Sequence, residues 1–193
     1  MIALVRPKCP NPEALAKGNY ADPVNKEALK ESTSGKCMYC ESKIEHNSYA
    51  HVEHIKPKAK FPELEFAWEN LGFCCQRCNT NKGDKYDEAM LFINPYNENP
   101  DDYIVFLSFF MYPKQGSERG EYTIRELQLN SAGLLERRKE KIDNFNKMIQ
   151  AAFRTSNETL RNQAISELRT EAQKDKEYSA MLRTVLLLHD IYL

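Results

Sequence analysis

A chain of 193 residues with 41% hydrophobic and 28% charged content describes one or two small folded domains and excludes fibrous and disordered classes. The opening Met1-Ile-Ala-Leu-Val-Arg-Pro7 is too short an apolar run for a signal peptide, and the longest later aliphatic run is Val185-Leu-Leu-Leu188, so neither secretion nor a membrane span is expected and the expected address is cytoplasmic. A formal net charge of -1 and a pI of about 6.4 exclude a broad basic face, so any nucleic acid must meet local cations or a partner's surface.

Taken in chain order, Pro7, Pro10, Pro12 and Pro23 interrupt the start, and residues 1–35 read as an irregular arm followed by one helix over Val24–Glu31. Residues 36–95 hold nearly all the unusual chemistry. In 96–193, the runs Tyr103–Phe110 and Glu121–Ile124, separated by a loop containing Gly116 and Gly120, predict a hairpin. Beyond Ser131, apolar Leu135, Ile142, Phe145, Ile149 and Phe153 recur at helical spacing between Arg, Lys and Glu, which predicts an amphipathic helix. Thr155-Ser-Asn-Glu158 fits a capping box for a second helix carrying Leu160, Ile165 and Leu168, and Met181, Leu182, Val185 and Leu186 mark a third.

Six cysteines in a reducing compartment are better metal ligands than disulfides. Cys37-Met-Tyr-Cys40 and Cys75-Gln-Arg-Cys78 are two C-x-x-C pairs able to supply four thiolates to one tetrahedral zinc, and a site with no open position is structural. Cys74 competes with Cys75 for that role, but the 75/78 pair has the tighter spacing. Cys9 and Cys74 are left as small buried apolar residues.

Between and after the knuckles stand His51-Val-Glu53-His54-Ile-Lys-Pro, Trp68-Glu-Asn70-Leu and Cys78-Asn79-Thr-Asn81-Lys82-Gly83. An acidic residue before a histidine, then Ile-x-Pro, then Asn-Leu, then a knuckle ending Cys-Asn-x-x-Lys, resembles the HNH endonucleases of the ββα-metal type. The resemblance implies an α+β fold, a zinc-stabilised HNH module flanked by mainly helical N- and C-terminal segments. It implies that Asn70 supports the base by hydrogen bonds across the loop without touching substrate. The chemistry suits these residue types. Hydrolysis of a phosphodiester needs a base titrating near working pH, which fits His54. It needs a divalent cation, Mg²⁺ or Mn²⁺, on hard oxygen donors, which Glu53 and Asn79 offer. The implied order is a strand ending at Glu53-His54, a return strand around Trp68 to Phe73, and a helix starting close to Asn79. Lys82 would then sit in the first helical turn, and Lys56, Lys58 and Lys60 would share one side of an extended segment; Lys56 and Lys82 are the expected phosphate contacts. His51 is expected to pack or face solvent beside Glu53, and His46 and His189 to be structural.

Further stretches, including Cys37-Met-Tyr-Cys-Glu-Ser-Lys-Ile44, Phe61-Pro-Glu-Leu, Lys82-Gly-Asp84 and Ile93-Asn-Pro95, resemble the nuclease subunits (PtuB family) of Septu-type and retron-associated anti-phage defence systems. An acidic residue would be expected in that family where His51 stands. The resemblance implies an ABC/SMC-like ATPase partner (PtuA-like), a nucleic-acid substrate, DNA foremost, and a docking role for Phe145, Met148 and Leu186–Tyr192 of the C-terminal region. A stand-alone restriction or toxin nuclease, and an inactive zinc-stabilised binding module, remain the alternatives.

Overall fold

The computed structural model describes residues 1–44 and 50–193; His46 lies outside the described residues. Two short helices open the chain, α1 (Pro12–Ala16) and α2 (Pro23–Ser32). Each begins on a proline, whose fixed φ and missing N–H suit a first turn, behind an Asn11 or Asp22 side chain that accepts first-turn backbone N–H groups. Strands β1 (Ala50–His54) and β2 (Leu71–Cys75) pair antiparallel, with His51 opposite Cys74 and Glu53 opposite Gly72. Helix α3 (Gln76–Lys82) follows β2 directly and ends where Gly83 takes a φ of 53°, the left-handed conformation glycine adopts without a Cβ penalty. This hairpin and helix form the expected ββα unit. A second hairpin, β3 (Ile104–Leu107) and β4 (Phe110–Pro113), leads into α4 (Glu118–Glu126), and three helices complete the chain: α5 (Ala132–Arg154), α6 (Glu158–Glu171) and α7 (Ser179–Leu188). The α+β class with helical flanks is as the sequence indicates.

The β1–β2 hairpin is covered on both faces. Leu71 and Phe73 join Leu15, Leu29 and Trp68 in a small core under the N-terminal arm. The alternate residues face the first knuckle; a Cβ on Gly72 would collide with the Met38 sulfur, so only glycine lets the knuckle close on the strand. The larger core runs without a break from the knuckle cysteines through Phe106, Ile142 and Phe145 to Met181 and Ile191. Helix α7 is fastened to the first knuckle by buried polar groups. Lys36 donates to the carbonyl of Lys176, Ser179 donates to Glu41 at 3.0 Å, and the Ser42 and Tyr178 hydroxyls are 2.8 Å apart.

Several sequence expectations change. The second hairpin starts and turns within the first apolar run, at Ser108 with a φ of 55°, and its return strand runs on to Pro113. Glu121–Ile124 is helical, because Ser117 caps the Gly120 N–H and Thr123 and Ile124 bury together on one face. In α5 the buried stripe is Leu134, Arg138, Ile142, Phe145, Ile149 and Ala152, so Leu135 is only half-buried and Phe153 is 48% exposed. Arg138 is wholly buried, donating to the Leu129 carbonyl and lying over the Phe106 and Tyr178 rings; its charge hides a core position from a hydropathy pattern. The cap of α6 is Asn157, not Thr155, and Leu160 is exposed. Phe145 is 2% exposed, which removes it from any docking surface, whereas Leu187, Leu188 and Tyr192 stand in solvent.

Candidate active site and zinc knuckle

Cys37 and Cys40 come from the loop before β1, Cys75 ends β2 and Cys78 lies in α3; their four sulfurs all fall within 4.8 Å of one another in a buried cluster. Zinc–sulfur bonds of about 2.3 Å in a tetrahedron place sulfurs about 3.8 Å apart, and Cys40 Sγ to Cys75 Sγ is 3.9 Å. The donor set and spacing fit zinc. Burial pushes the Cys37 thiol up, while the sulfhydryls around Cys40 pull it down, so the cluster has the mixed character that a bound divalent cation resolves into four thiolates. Cys74 points away as a buried free thiol and Cys9 donates weakly to Asn25.

Successive strand residues face opposite sides, so Glu53 turns toward α3 and His54 toward the N-terminal arm. Because β1 ends there, both line one open cleft of about 270 Å³ with Pro57, Asn79, Gly83 and Asp84. The His54 ring is fixed on two sides: Nε2 lies 3.0 Å from the Glu65 carbonyl, and Tyr20 meets the ring edge-on at 4.6 Å. Donation from Nε2–H to that carbonyl sets the tautomer and leaves the Nδ1 lone pair able to accept a proton. Burial lowers the His54 pKa, against the pull of the Glu65 carbonyl, which keeps the ring neutral near pH 7. Asn70 builds the loop that carries this carbonyl. Its Oδ1 accepts from Lys56 N–H at 2.7 Å, and its Nδ2 donates to the carbonyls of Lys56 and Leu64.

Glu53 is 3% exposed and its Oε1 is 2.7 Å from Lys82 Nζ. Oε1 is buried against the Lys82 ammonium, and the residue also lines the cleft. Burial pushes the Glu53 carboxyl up to about 6 against the lowering effect of the Lys82 ammonium. The cleft therefore gathers hard oxygen donors from Glu53, Asn79 and Asp84, a set that suits Mg²⁺ or Mn²⁺. Asn79 Nδ2 lies 3.4 Å from His51 Nδ1.

The structure thus brings together Glu53, His54 and Asn79, with Asn70 behind them. Lys82 is corrected in position: it closes α3 instead of opening it, since the helix starts at Gln76, and its ammonium is 1% exposed, held by Glu53 and the His54 carbonyl. It cannot reach a phosphate from there. Lys56, Lys58 and Lys60 do not share a side, because the chain turns at Pro57. Lys56 lies over the Phe61 and Tyr86 rings, Lys58 pairs with Glu65, and Lys60 reaches the Tyr86 carbonyl. His51 contacts Asn79, and His189 ends α7, exposed beside Phe153. Tyr20, Glu65 and Asp84 were not singled out from the sequence. Tyr20 lies in the arm with no local signal, and Glu65 acts through its backbone, which no residue type announces.

A four-cysteine knuckle closing a ββα unit with an acidic-histidine strand end defines an HNH-type module, and residues 37–85 match the family model described as HNH endonuclease. Over an alignment of 215 positions the chain is 34% identical to "Septu protein PtuB" of Bacillus thuringiensis, covering 96% of this chain and 82% of that protein. It is 30% identical to "Septu protein PtuB" of Bacillus mycoides (strain KBAB4), covering 80% of this chain and 64% of that one. The chain belongs to the PtuB family of HNH proteins.

Proposed function

We propose that the chain is a metal-dependent endonuclease hydrolysing phosphodiester bonds of nucleic acid, DNA foremost, as the cytoplasmic effector of an anti-phage system working with an ABC/SMC-like, PtuA-like ATPase. Membership of the PtuB family supports the nuclease and the defence role. None of the described helices is long and apolar enough to cross a membrane. The observation that carries the chemistry is the Nε2 contact of His54 with the Glu65 carbonyl, which commits Nδ1 to proton acceptance in the cleft that also holds Glu53 and Asn79.

Glu53 and Asn79 would hold the cation, which when bound supplies charge neutralisation on the scissile phosphate. His54 Nδ1 takes a proton from water as the water oxygen bonds to phosphorus. The phosphorus–oxygen bond to the leaving group breaks, and the leaving oxygen is protonated by solvent, giving one phosphomonoester end and one hydroxyl end. Lys56, exposed and without an ion pair among the described residues, binds the neighbouring phosphate. One cation is a small grip, and the net charge of -1 supports a partner that supplies the rest of the phosphate-neutralising surface.

The test is incubation of plasmid, single-stranded DNA and tRNA with the purified chain, alone and with the neighbouring ATPase, in Mg²⁺ or Mn²⁺. Wild type cuts at least one of them and His54→Ala does not. Identical behaviour of the two under every condition refutes the assignment. Cutting without the ATPase at an undiminished rate favours a stand-alone nuclease.

A further inference from the structure

A second cleft, of about 290 Å³, opens on the other side of the Lys56 turn. Its apolar wall is Ile55, Met90, Leu91 and Phe92, and Lys56 stands at its mouth. The opposite wall is rigid. Arg119 pairs with both Glu98 carboxylate oxygens at 2.7 and 2.9 Å and also donates to the carbonyls of Leu91 and Phe92. Phe61 and Tyr86, stacked edge to face at 4.5 Å, form an aromatic ridge at this cleft, which Tyr86 lines, with the Lys56 ammonium over both rings. Ile55 and Lys56, which follow His54, line this cleft, and the next residues in the chain, Pro57, Lys58 and Ala59, line the catalytic one.

We propose that this cleft receives one unpaired nucleobase of the cleaved strand, so that the preferred substrate is single-stranded or carries an unpaired loop. The proposal rests on the nuclease reading and adds the substrate class to it. A strand whose phosphate meets Lys56 must send the attached base somewhere, and the preformed cavity that Lys56 itself lines, at about 290 Å³ just under the about 300–1,000 Å³ of small-molecule sites, can receive it. The aromatic ridge gives such a base a face to cross and stack on, independent of its identity. A paired base stays inside the duplex and presents only phosphate to the same lysine; extruding it costs energy that an unpaired base does not spend. Asn97, exposed on the rim, offers an amide to a base edge.

The probe is a fluorescein-labelled oligothymidylate of about twelve nucleotides, within the usual range of single-strand site sizes, set against a chain of the same number of abasic phosphates and against a blunt duplex. Binding is followed by fluorescence anisotropy with the full-length His54→Ala variant in Ca²⁺ at fixed salt. Oligothymidylate is expected to bind about tenfold tighter than the abasic strand and tighter than the duplex. Leu91→Trp, which fills the cleft from a partly exposed position, is expected to erase the difference while keeping the wild-type melting temperature. Equal affinity for the three ligands, or a preference that survives Leu91→Trp, overturns the cleft assignment. A wild type that cuts plasmid in Mg²⁺ yet binds all three equally keeps the hydrolase and loses the cleft; one that prefers oligothymidylate and cuts nothing keeps the cleft and loses the hydrolase.

Discussion

Lys82 Nζ lies 2.7 Å from Glu53 Oε1, with both side chains almost wholly buried. A buried charge stripped of its counter-charge is costlier than the pair is favourable. Lys82→Met is therefore expected to destabilise the chain by about 3–5 kcal/mol, read as a lower urea midpoint at unchanged slope. Adding Glu53→Gln should recover part of that loss, because the stranded carboxylate is gone. A double variant no more stable than Lys82→Met alone would show that the lysine matters for something other than this pair.

Asn70 holds three backbone groups, the Lys56 N–H and the carbonyls of Lys56 and Leu64, and the next carbonyl along, that of Glu65, holds His54. Asn70→Ala leaves buried polar groups unpaired and is expected to cost about 2–4 kcal/mol. Removing such support from a reacting group also lowers turnover about 10–100-fold, with KM little changed because Asn70 does not line the cleft. Asn70→Asp keeps the acceptor for Lys56 N–H and loses both donors. Its second oxygen then faces the carbonyls of Lys56 and Leu64, so Asn70→Asp should be no more stable than Asn70→Ala in thermal melts near pH 7; an Asn70→Ala enzyme with full turnover refutes the coupling.

The four-cysteine cluster and the ββα order were legible because they are written in residue type and spacing: Cys37, Cys40, Cys75 and Cys78 can meet only if the intervening chain folds back on itself. The helical C-terminal region was legible from periodicity, though its stripe was placed one residue off at both ends: Leu134 and Leu135 are the same residue type and hydropathy cannot choose between them, and Phe153 outscores Ala152. What stayed hidden depends on tertiary neighbours. Lys82 looks like a surface cation until Glu53 is found beside it, Arg138 like a solvated charge until Phe106 and Tyr178 enclose it. Tyr20 reaches His54 across the fold, which no local pattern reports. Glu121–Ile124 has β-branched and aromatic residues that favour a strand, and the Ser117 cap together with burial of Thr123 and Ile124 overrides that preference.

Metal analysis should find about one zinc per chain. Four thiolates bind zinc with an apparent free energy of about 10–16 kcal/mol in small domains, much of it folding free energy, so a chelator or Cys40→Ser should abolish cooperative unfolding as well as metal content. A zinc-free chain with an unchanged melt would refute the structural role.

Partial burial pushes the Glu98 carboxyl upward, but the Arg119 guanidinium and the Asn94 N–H outweigh it and hold the group below its usual range. A depressed folded-state pKa contributes stability that is present above the unfolded value of about 4.3 and is lost as pH falls through the folded value. Wild type should lose about 1 kcal/mol more than Glu98→Gln when urea melts at pH 6 are compared with melts well below pH 4. Parallel losses in the two proteins would show that the pair contributes nothing to stability.

The C-terminal helix is tied into the first cysteine knuckle by Lys36 and Glu41, a buried pair 3.7 Å apart whose carboxylate also meets the Met1 ammonium. Lys36, 1% exposed, donates to the carbonyls of Lys174 and Lys176, and Glu41 accepts from Ser179 and from the Ala180 N–H. Deleting residues 174–193 would remove the carbonyls and donors that complete this buried pair and open the core at Met181, Leu182 and Leu186. A chain ending at residue 173 is therefore expected to be insoluble or molten and to lose zinc, instead of yielding a free nuclease module. The exposed Leu187, Leu188 and Tyr192 can be tested without truncation: Leu188→Ser should leave the melt and the zinc content unchanged, and a loss of ATPase co-purification in that variant would locate the docking surface on the outer side of α7. Undiminished co-purification would remove α7 from the interface, while a truncated chain that still melts cooperatively with its zinc would refute the structural role of the helix.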